Sequence, residues 1–108
     1  MELRIYETKA RKQPFLKWFK HLKDSVIVDR IQQRVDGLST GYFGDCKYHE
    51  AGIYEMRLHF GSGYRVYFAQ HQQRFILLLM GGNKNTQKRD INKAKQYNLA
   101  LRIIDVNK

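Results

Sequence analysis

The chain has 108 residues, of which 43% are hydrophobic. This suits one domain over residues 1–108 with a packed core, and it excludes both a second core and intrinsic disorder. Twenty Lys and Arg against ten Asp and Glu give a net charge of +10, which indicates a polyanionic partner such as nucleic acid, the ribosome, a membrane surface or an acidic protein. The single cysteine, Cys46, excludes a disulfide framework, and without a membrane-length apolar run or a signal core we expect a cytoplasmic protein that does not enter a membrane.

The first part of the chain predicts one strand and two helices. Residues 3–8 roughly alternate between apolar and polar side chains, which is typical of a strand. Pro14 suits a first helical turn, and apolar residues follow it at helical spacing as far as Leu22. Asp24 and Ser25 can cap a second helix. The apolar stripe of that helix comprises Ile27, Ile31, Val35 and Leu38.

The remainder predicts a loop, three antiparallel strands and a last helix. Residues 42–52 are polar and loop-like, and Gly61–Gly63 is a hairpin turn. The strands are expected over residues 53–60, 64–70 and 75–80. Gly81–Gly82 is expected to end the last strand, and Asn85 or Thr86 to cap the final helix.

Helices and strands are segregated along the chain rather than alternating, which predicts the α+β class. We expect a two-layer domain in which the two early helices pack on one face of a twisted antiparallel sheet, with a helix at the C-terminal end. The other face of the sheet is then left open for a ligand.

Basic and aromatic side chains are expected on that open face. Arg57 and Arg65 lie on neighbouring strands with the same facing parity, which His59 and Tyr67 share, and Lys84 follows the next strand. Arginine binds phosphate through two donors, and aromatic rings stack on unpaired bases. Residues 51–104 hold nine Lys or Arg and two acidic residues. The pattern therefore favours RNA binding, and the alternative is an exposed sheet face with solvated side chains.

The sequence offers no metal or cofactor site. The four histidines are His21, His49, His59 and His71, and none stands at HxH or HxxxH spacing to another. The segment from Gly81 to Thr86 is rich in glycine and precedes a helix, but the spacing of its Gly, Lys and Thr is wrong for a Walker motif. We expect no cofactor and no metal.

Two runs of the sequence resemble a known family. The runs are YEMRLHFGSGYRVYF and LLLMGGNKNTQKRDINKA, and they are similar to RelE/HigB-type toxins of bacterial toxin–antitoxin modules, especially the phage-derived addiction module killer subgroup. An early PF..W...L pattern from Pro14 and a G.FGD.K pattern from Gly41 extend the resemblance to about residues 3–95.

The resemblance implies a ribosome-dependent endoribonuclease that cuts mRNA and stops translation, by a reaction that uses the RNA 2′-OH and no metal. It implies a cognate antitoxin, usually a helix-turn-helix protein, and contact with operator DNA only through that antitoxin. Matching the motifs residue by residue predicts catalytic roles for Arg65, Arg57 and Lys84. Contacts to RNA are predicted for Lys47, His59, Tyr67 and Lys88.

Two departures from the RelE pattern leave alternatives open. Glu55 stands about where RelE has a further lysine, and no residue matches the C-terminal catalytic tyrosine of RelE, so the sequence does not identify the general base. One alternative is a non-catalytic basic module that binds RNA or a partner protein, such as a decayed prophage toxin. The other is a ribosome-binding factor that blocks translation without cutting.

Overall fold

The computed structural model describes the backbone of residues 1–106 and the side chains of residues 1–100. The helices are α1 (Pro14–Lys20), α2 (Ser25–Ser39) and α3 (Gln87–Val106). The strands are β1 (Glu2–Ile5), β2 (Cys46–Tyr48), β3 (Ile53–Leu58), β4 (Tyr64–His71) and β5 (Phe75–Asn83). Two short 3-10 turns precede β3 and α3, at Glu50–Gly52 and Lys84–Thr86.

All five strands form one twisted sheet in the order β1-β5-β4-β3-β2. Strands β2 to β5 are antiparallel to their neighbours, whereas β1 joins the sheet parallel to β5, with Ile5 opposite Leu78. Tyr67 pairs with Met80 and Phe68 with Leu78, so Leu79 is the extra residue of a β-bulge. The predicted α+β class, with helices at both ends of the chain, is confirmed.

The two early helices begin where the sequence predicts. Pro14 occupies the first turn of α1, and the Asp24 carboxylate caps α2 by accepting hydrogen bonds from the backbone N–H groups of Val26 and Ile27 at 2.9 and 3.5 Å. The predicted stripe of α2 points inward, and Ile31, Val35 and Leu38 are buried. These side chains and Phe15 of α1 cover one face of the sheet, which we call the α1/α2 face.

The opposite face is not open, as the sequence analysis expected, because α3 packs across it. We call it the α3 face. Its buried apolar residues are Tyr6, Ile53, Tyr67, Ala69, Leu77, Leu79, Met80 and Ala94, and Ile91 and Tyr97 of α3 pack against them. Helices therefore cover both faces of the sheet, and neither face is left open to a large ligand.

Part of the segment expected to be a loop is a strand. Cys46, Lys47 and Tyr48 form the edge strand β2, in antiparallel register with Met56, Glu55 and Tyr54 of β3. Three polar or half-exposed residues are too few to show an alternating pattern, so this strand depends on pairing with β3 rather than on its own sequence.

Gly81 and Gly82 lie within β5 and do not end it, which corrects the prediction made for them. A side chain on Gly81 would overlap the indole ring of Trp18 on the α1/α2 face, and one on Gly82 would overlap the Asp90 carboxylate on the α3 face. The two glycines allow α1 and α3 to approach the strand closely from opposite sides.

We expect Gly81→Ala to lower the free energy of unfolding by about 1–3 kcal/mol, because the added methyl group forces Trp18 out of its place. Denaturant unfolding measures this loss. A double-mutant cycle with Trp18→Ala provides the control, since the cost of Gly81→Ala should fall when the indole is absent. An equal cost in both backgrounds would show that Trp18 is not the reason for the glycine.

Candidate active site

Three of the predicted site residues meet in a cleft at the end of the sheet where the β3–β4 hairpin lies. Arg65, Lys84 and His59 line this cleft of about 400 Å³ together with the hairpin residues 60–63. We call it the hairpin cleft. Arg57 is directly opposite Arg65 in the register of β3 and β4, and the two residues share a face of the sheet, as their parity predicts. The structure therefore brings the three predicted catalytic residues to one end of the sheet.

Arg65 is buried at the base of this cleft rather than exposed on an open face, and only 8% of its surface is accessible. Its Nε donates to Oε2 of Glu55 at 2.9 Å, and its Nη1 donates to the carbonyl oxygen of Gly63 at 2.6 Å. Within the described residues these bonds occupy Nε and Nη1, which leaves the donors of Nη2 for a ligand.

Glu55 is fully buried, and it holds Arg65 in place as the centre of a hydrogen-bond network. Its carboxylate also accepts from His49 Nε2 at 2.7 Å and from Gln87 Nε2 at 2.6 Å. Burial alone would raise the pKa of Glu55, but the hydrogen bonds from His49 and Arg65 outweigh it and bring the pKa below its ordinary value. The buried carboxyl is therefore a carboxylate at neutral pH.

Sequence reasoning recognised Glu55 only as a departure from the family pattern. Glu55 lies on the same face of β3 as Arg57, and Arg65 lies on that face of the neighbouring strand β4. This placement indicated that Glu55 and Arg65 could pair, because cross-strand neighbours of opposite charge often do. His49 and Gln87 gave no such indication, since one lies in an irregular segment and the other begins a helix more than thirty residues later.

Tyr67 is not available to RNA, which corrects its predicted role. Its side chain is fully buried under α3, and its hydroxyl has no hydrogen-bond partner among the described residues. Burial, with the nearby carboxylates of Glu55 and Asp90, raises the pKa of Tyr67 well above the ordinary value. The ring therefore packs in the α3-face core and does not stack on a base.

A second cleft, of about 340 Å³, adjoins the hairpin cleft and shares His59 with it. Its charged lining residues are Arg30, Arg34, Asp45 and Arg57, and His59 lines it as well. His59 Nε2 is hydrogen-bonded to Oδ2 of Asp45, and this bond, with the charges of Arg57 and Arg34, lowers the pKa of Asp45. We call this second cleft the arginine cleft.

The predicted lysines are all exposed, but only one lines either of these clefts. Lys84 opens the 3-10 turn that Asn83 caps, and it borders the hairpin cleft. Lys88 lies in the first turn of α3, and Lys47 lies on β2 opposite Glu55. Neither lines the hairpin cleft or the arginine cleft, so their predicted RNA contacts stay predictions.

Another cleft, of about 680 Å³, lies between α1 and α3. It contains none of the predicted catalytic residues. Its basic lining residues are Lys12, Lys17, His21, Arg89 and Lys93. Asp90 also lines it, but Thr86 hydrogen-bonds that carboxylate at 2.5 Å.

Comparison with known proteins identifies the family. Residues 17–99 match the family described as Phage derived protein Gp49-like (DUF891). The chain belongs to the Gp49-like family. This family is associated with toxin–antitoxin modules, so the predicted link to phage-derived addiction modules is confirmed at that level. The matched residues extend from α1 into α3 and include the hairpin cleft and the arginine cleft.

A relative from Haemophilus influenzae (strain ATCC 51907 / DSM 11121 / KW20 / Rd) is 41% identical over 81 residues, which is 75% of this chain and 82% of the relative. That relative is described as an uncharacterized protein, so it adds no activity to what the Gp49-like family indicates.

Across the residues that the structure describes, no group of three or more His, Cys, Asp or Glu side chains is arranged to hold a metal ion. In the same part of the chain, no helix combines the length and apolar character needed to cross a membrane.

Proposed function

We propose that this Gp49-like protein is the toxin of a type II toxin–antitoxin system and cleaves mRNA on the ribosome without a metal ion. The observation that carries the proposal is the hairpin cleft, where Arg65, fixed by Glu55, faces the same space as Lys84 and His59. The net charge of +10 supports it, because it attracts the chain to ribosomal RNA.

Cleavage through the RNA 2′-OH needs three things from a protein. The 2′-OH must lose its proton, the pentacoordinate phosphorane must be stabilised, and the leaving 5′-oxygen must gain a proton. Arg65 and Lys84 supply donors for the phosphorane charge, and a preorganised donor of this kind contributes about 10²–10³-fold in rate. Because Glu55 and Gly63 hold two of its nitrogens, Arg65 does not have to reorganise during the reaction.

The proposal includes partners. Ribosome-bound mRNA is the substrate, and a cognate antitoxin, of the helix-turn-helix class, neutralises the toxin. Contact with operator DNA is through the antitoxin only. The cytoplasm is the compartment in which these partners occur.

We expect expression of the protein without its antitoxin to stop amino-acid incorporation and to produce breaks in coding sequences that primer extension detects. With purified ribosomes and mRNA, the products should carry a 2′,3′-cyclic phosphate and a 5′-OH, whereas metal-activated water would leave a 3′-OH and a 5′-phosphate. Lys84→Ala should reduce cleavage about tenfold or more, and Lys23→Ala, an exposed lysine outside the cleft, is the matched control.

Other results identify the alternatives. Translation arrest without new RNA ends indicates a factor that blocks the ribosome. Normal growth and translation at confirmed expression of folded protein indicate a non-catalytic binding module. Cleavage of naked RNA that EDTA abolishes would overturn both the ribosome dependence and the metal-independent chemistry.

A further inference from the structure

We propose that His59, oriented by Asp45, is the general base that removes the 2′-OH proton at the junction of the hairpin cleft and the arginine cleft. This inference rests on the proposed nuclease function and assigns the group that neither the sequence nor the family match supplied. Four observations lead to it: the position of His59, the hydrogen bond to Asp45, the anchoring of Asp45, and the surroundings of the other histidines.

The two clefts share two residues, His59 and Phe60, and of these only His59 can take up a proton. It follows β3 directly, and 67% of its side chain is exposed. From the hairpin cleft it is faced by Arg65 and Lys84. From the arginine cleft it is faced by Arg30, Arg34, Asp45 and Arg57. A phosphate held by these cations therefore lies beside an accessible imidazole.

The hydrogen bond to Asp45 determines which imidazole nitrogen is basic. An ionised carboxylate only accepts hydrogen bonds, so the proton of a neutral His59 is on Nε2, which points at Asp45. Nδ1 then carries the lone pair. In this tautomer the acceptor nitrogen is turned away from Asp45 and is the atom that can take a proton.

Asp45 is itself held by the fold. Its carbonyl oxygen accepts a hydrogen bond from the Arg57 backbone N–H at 2.9 Å, which ties it to β3. Arg34 fixes the same segment from α2, because it donates to the carbonyl oxygens of Arg57 at 2.9 Å and Phe43 at 3.2 Å. Gly44 has a φ of 63°, and a side chain there would collide with the Arg34 guanidinium. The backbone that carries the Asp45 carboxylate is therefore held by the fold.

The other three histidines are engaged elsewhere. His49 donates to the buried carboxylate of Glu55, which already binds two other donors. His71 Nε2 lies 2.9 Å from the side-chain oxygen of Asn98, and His21 Nδ1 lies 2.6 Å from the backbone oxygen of Lys17. None of these three lines the hairpin cleft or the arginine cleft.

The reaction balances with His59 in this role. Nδ1 takes the proton of the 2′-OH while the 2′-oxygen forms its bond to phosphorus. The bond between phosphorus and the 5′-oxygen breaks, and the 5′-oxygen takes a proton from solvent, which reaches this open cleft. The imidazolium then returns its proton to solvent. The products are a 2′,3′-cyclic phosphate and a 5′-OH.

The test compares single-turnover cleavage of ribosome-bound mRNA by the wild-type chain and three variants. His59→Ala should lower the rate by about 10²–10⁴-fold, the range for loss of a general base. It should bind ribosomes normally in co-sedimentation, and added imidazole should restore part of its rate. In wild type the rate should fall on the acidic side as the base is protonated, and this limb should disappear in His59→Ala.

Asp45→Asn and His21→Ala complete the set. Asp45 is a positioning residue, so Asp45→Asn should lower the rate about tenfold while keeping the acidic limb of the pH profile. His21→Ala removes an exposed histidine that lies outside both clefts, and it should leave the rate unchanged.

The outcomes separate the two proposals. If wild type cleaves and His59→Ala cleaves at the same rate with the same pH profile, His59 is not the base, while the nuclease function stands. If His59→Ala loses ribosome binding and imidazole restores nothing, the residue binds RNA and the inference is wrong. If wild-type protein leaves ribosome-bound mRNA intact, the proposed function itself fails, and the inference fails with it.

Discussion

Arg65→Ala is expected to lower both activity and stability. Cleavage should fall about 10²–10³-fold, because one preorganised donor to the phosphorane is lost. The free energy of unfolding should fall by about 3–5 kcal/mol, because Glu55 then lies fully buried without its arginine. Denaturant unfolding and ribosome-dependent cleavage measure the two effects, the second at a temperature where the variant is folded.

Two further variants separate the effects. Arg65→Lys keeps a positive charge beside Glu55 but cannot bind Glu55, Gly63 and a phosphate through one planar group, so it should recover stability more than activity. Val66→Ala, in the core of the α1/α2 face, should cost about 2 kcal/mol of stability and leave the rate of the folded protein unchanged. Full toxicity and unchanged stability in Arg65→Ala would show that the active site lies elsewhere.

Glu55→Ala is expected to destabilise the protein as much as Arg65→Ala does, by about 3–5 kcal/mol. It leaves Arg65 as a buried charge and removes the acceptor for His49 and Gln87. Denaturant unfolding at neutral pH measures this loss. Glu55→Gln, which keeps the shape and one acceptor oxygen, should cost less. A Glu55→Ala variant as stable as wild type would show that the network contributes no net stability.

The Glu55 carboxylate also makes the free energy of unfolding depend on pH. The folded-state pKa of Glu55 is lowered, so its stabilising contribution is present above the unfolded-state pKa and is lost as the pH falls through the folded-state value. Unfolding measured from neutral pH down through the acidic range should show this loss in wild type. In Glu55→Gln the corresponding part of the pH dependence should be absent.

The elements with strong local patterns were predictable from the sequence. The stripe of α2 from Ile27 to Leu38 and its Asp24 cap lie within fifteen residues of each other, and they determine the helix without help from the rest of the chain. Gly61 and Gly63 both have positive φ values, as a tight hairpin requires. The short strand β2 and the packing of α3 were not predictable, because both depend on partners distant in the sequence.

The face on which Arg57 and Arg65 lie was predictable from the sequence, but their register and their burial were not. Alternation along β3 and β4 correctly placed Arg57 and Arg65 on one face, and the structure adds that they lie directly opposite each other. Arg65 is buried together with its partner Glu55, and Tyr67 is buried under α3. The strand pattern shows neither. The sequence wrongly predicted that Gly81 and Gly82 end β5 for the same reason. The close approach of Trp18 and Asp90 to these glycines cannot be detected from the neighbouring residues in the sequence.

The network around Glu55 has a consequence for how sequences of this family diverge. Its four side chains, His49, Glu55, Arg65 and Gln87, come from the segment before β3, from β3, from β4 and from the start of α3. A lysine at position 55 would place a cation against Arg65, so we expect that substitution to be accompanied by changes at the positions that Glu55 contacts. In an alignment of relatives these four columns should therefore covary, and single replacements should show strong epistasis.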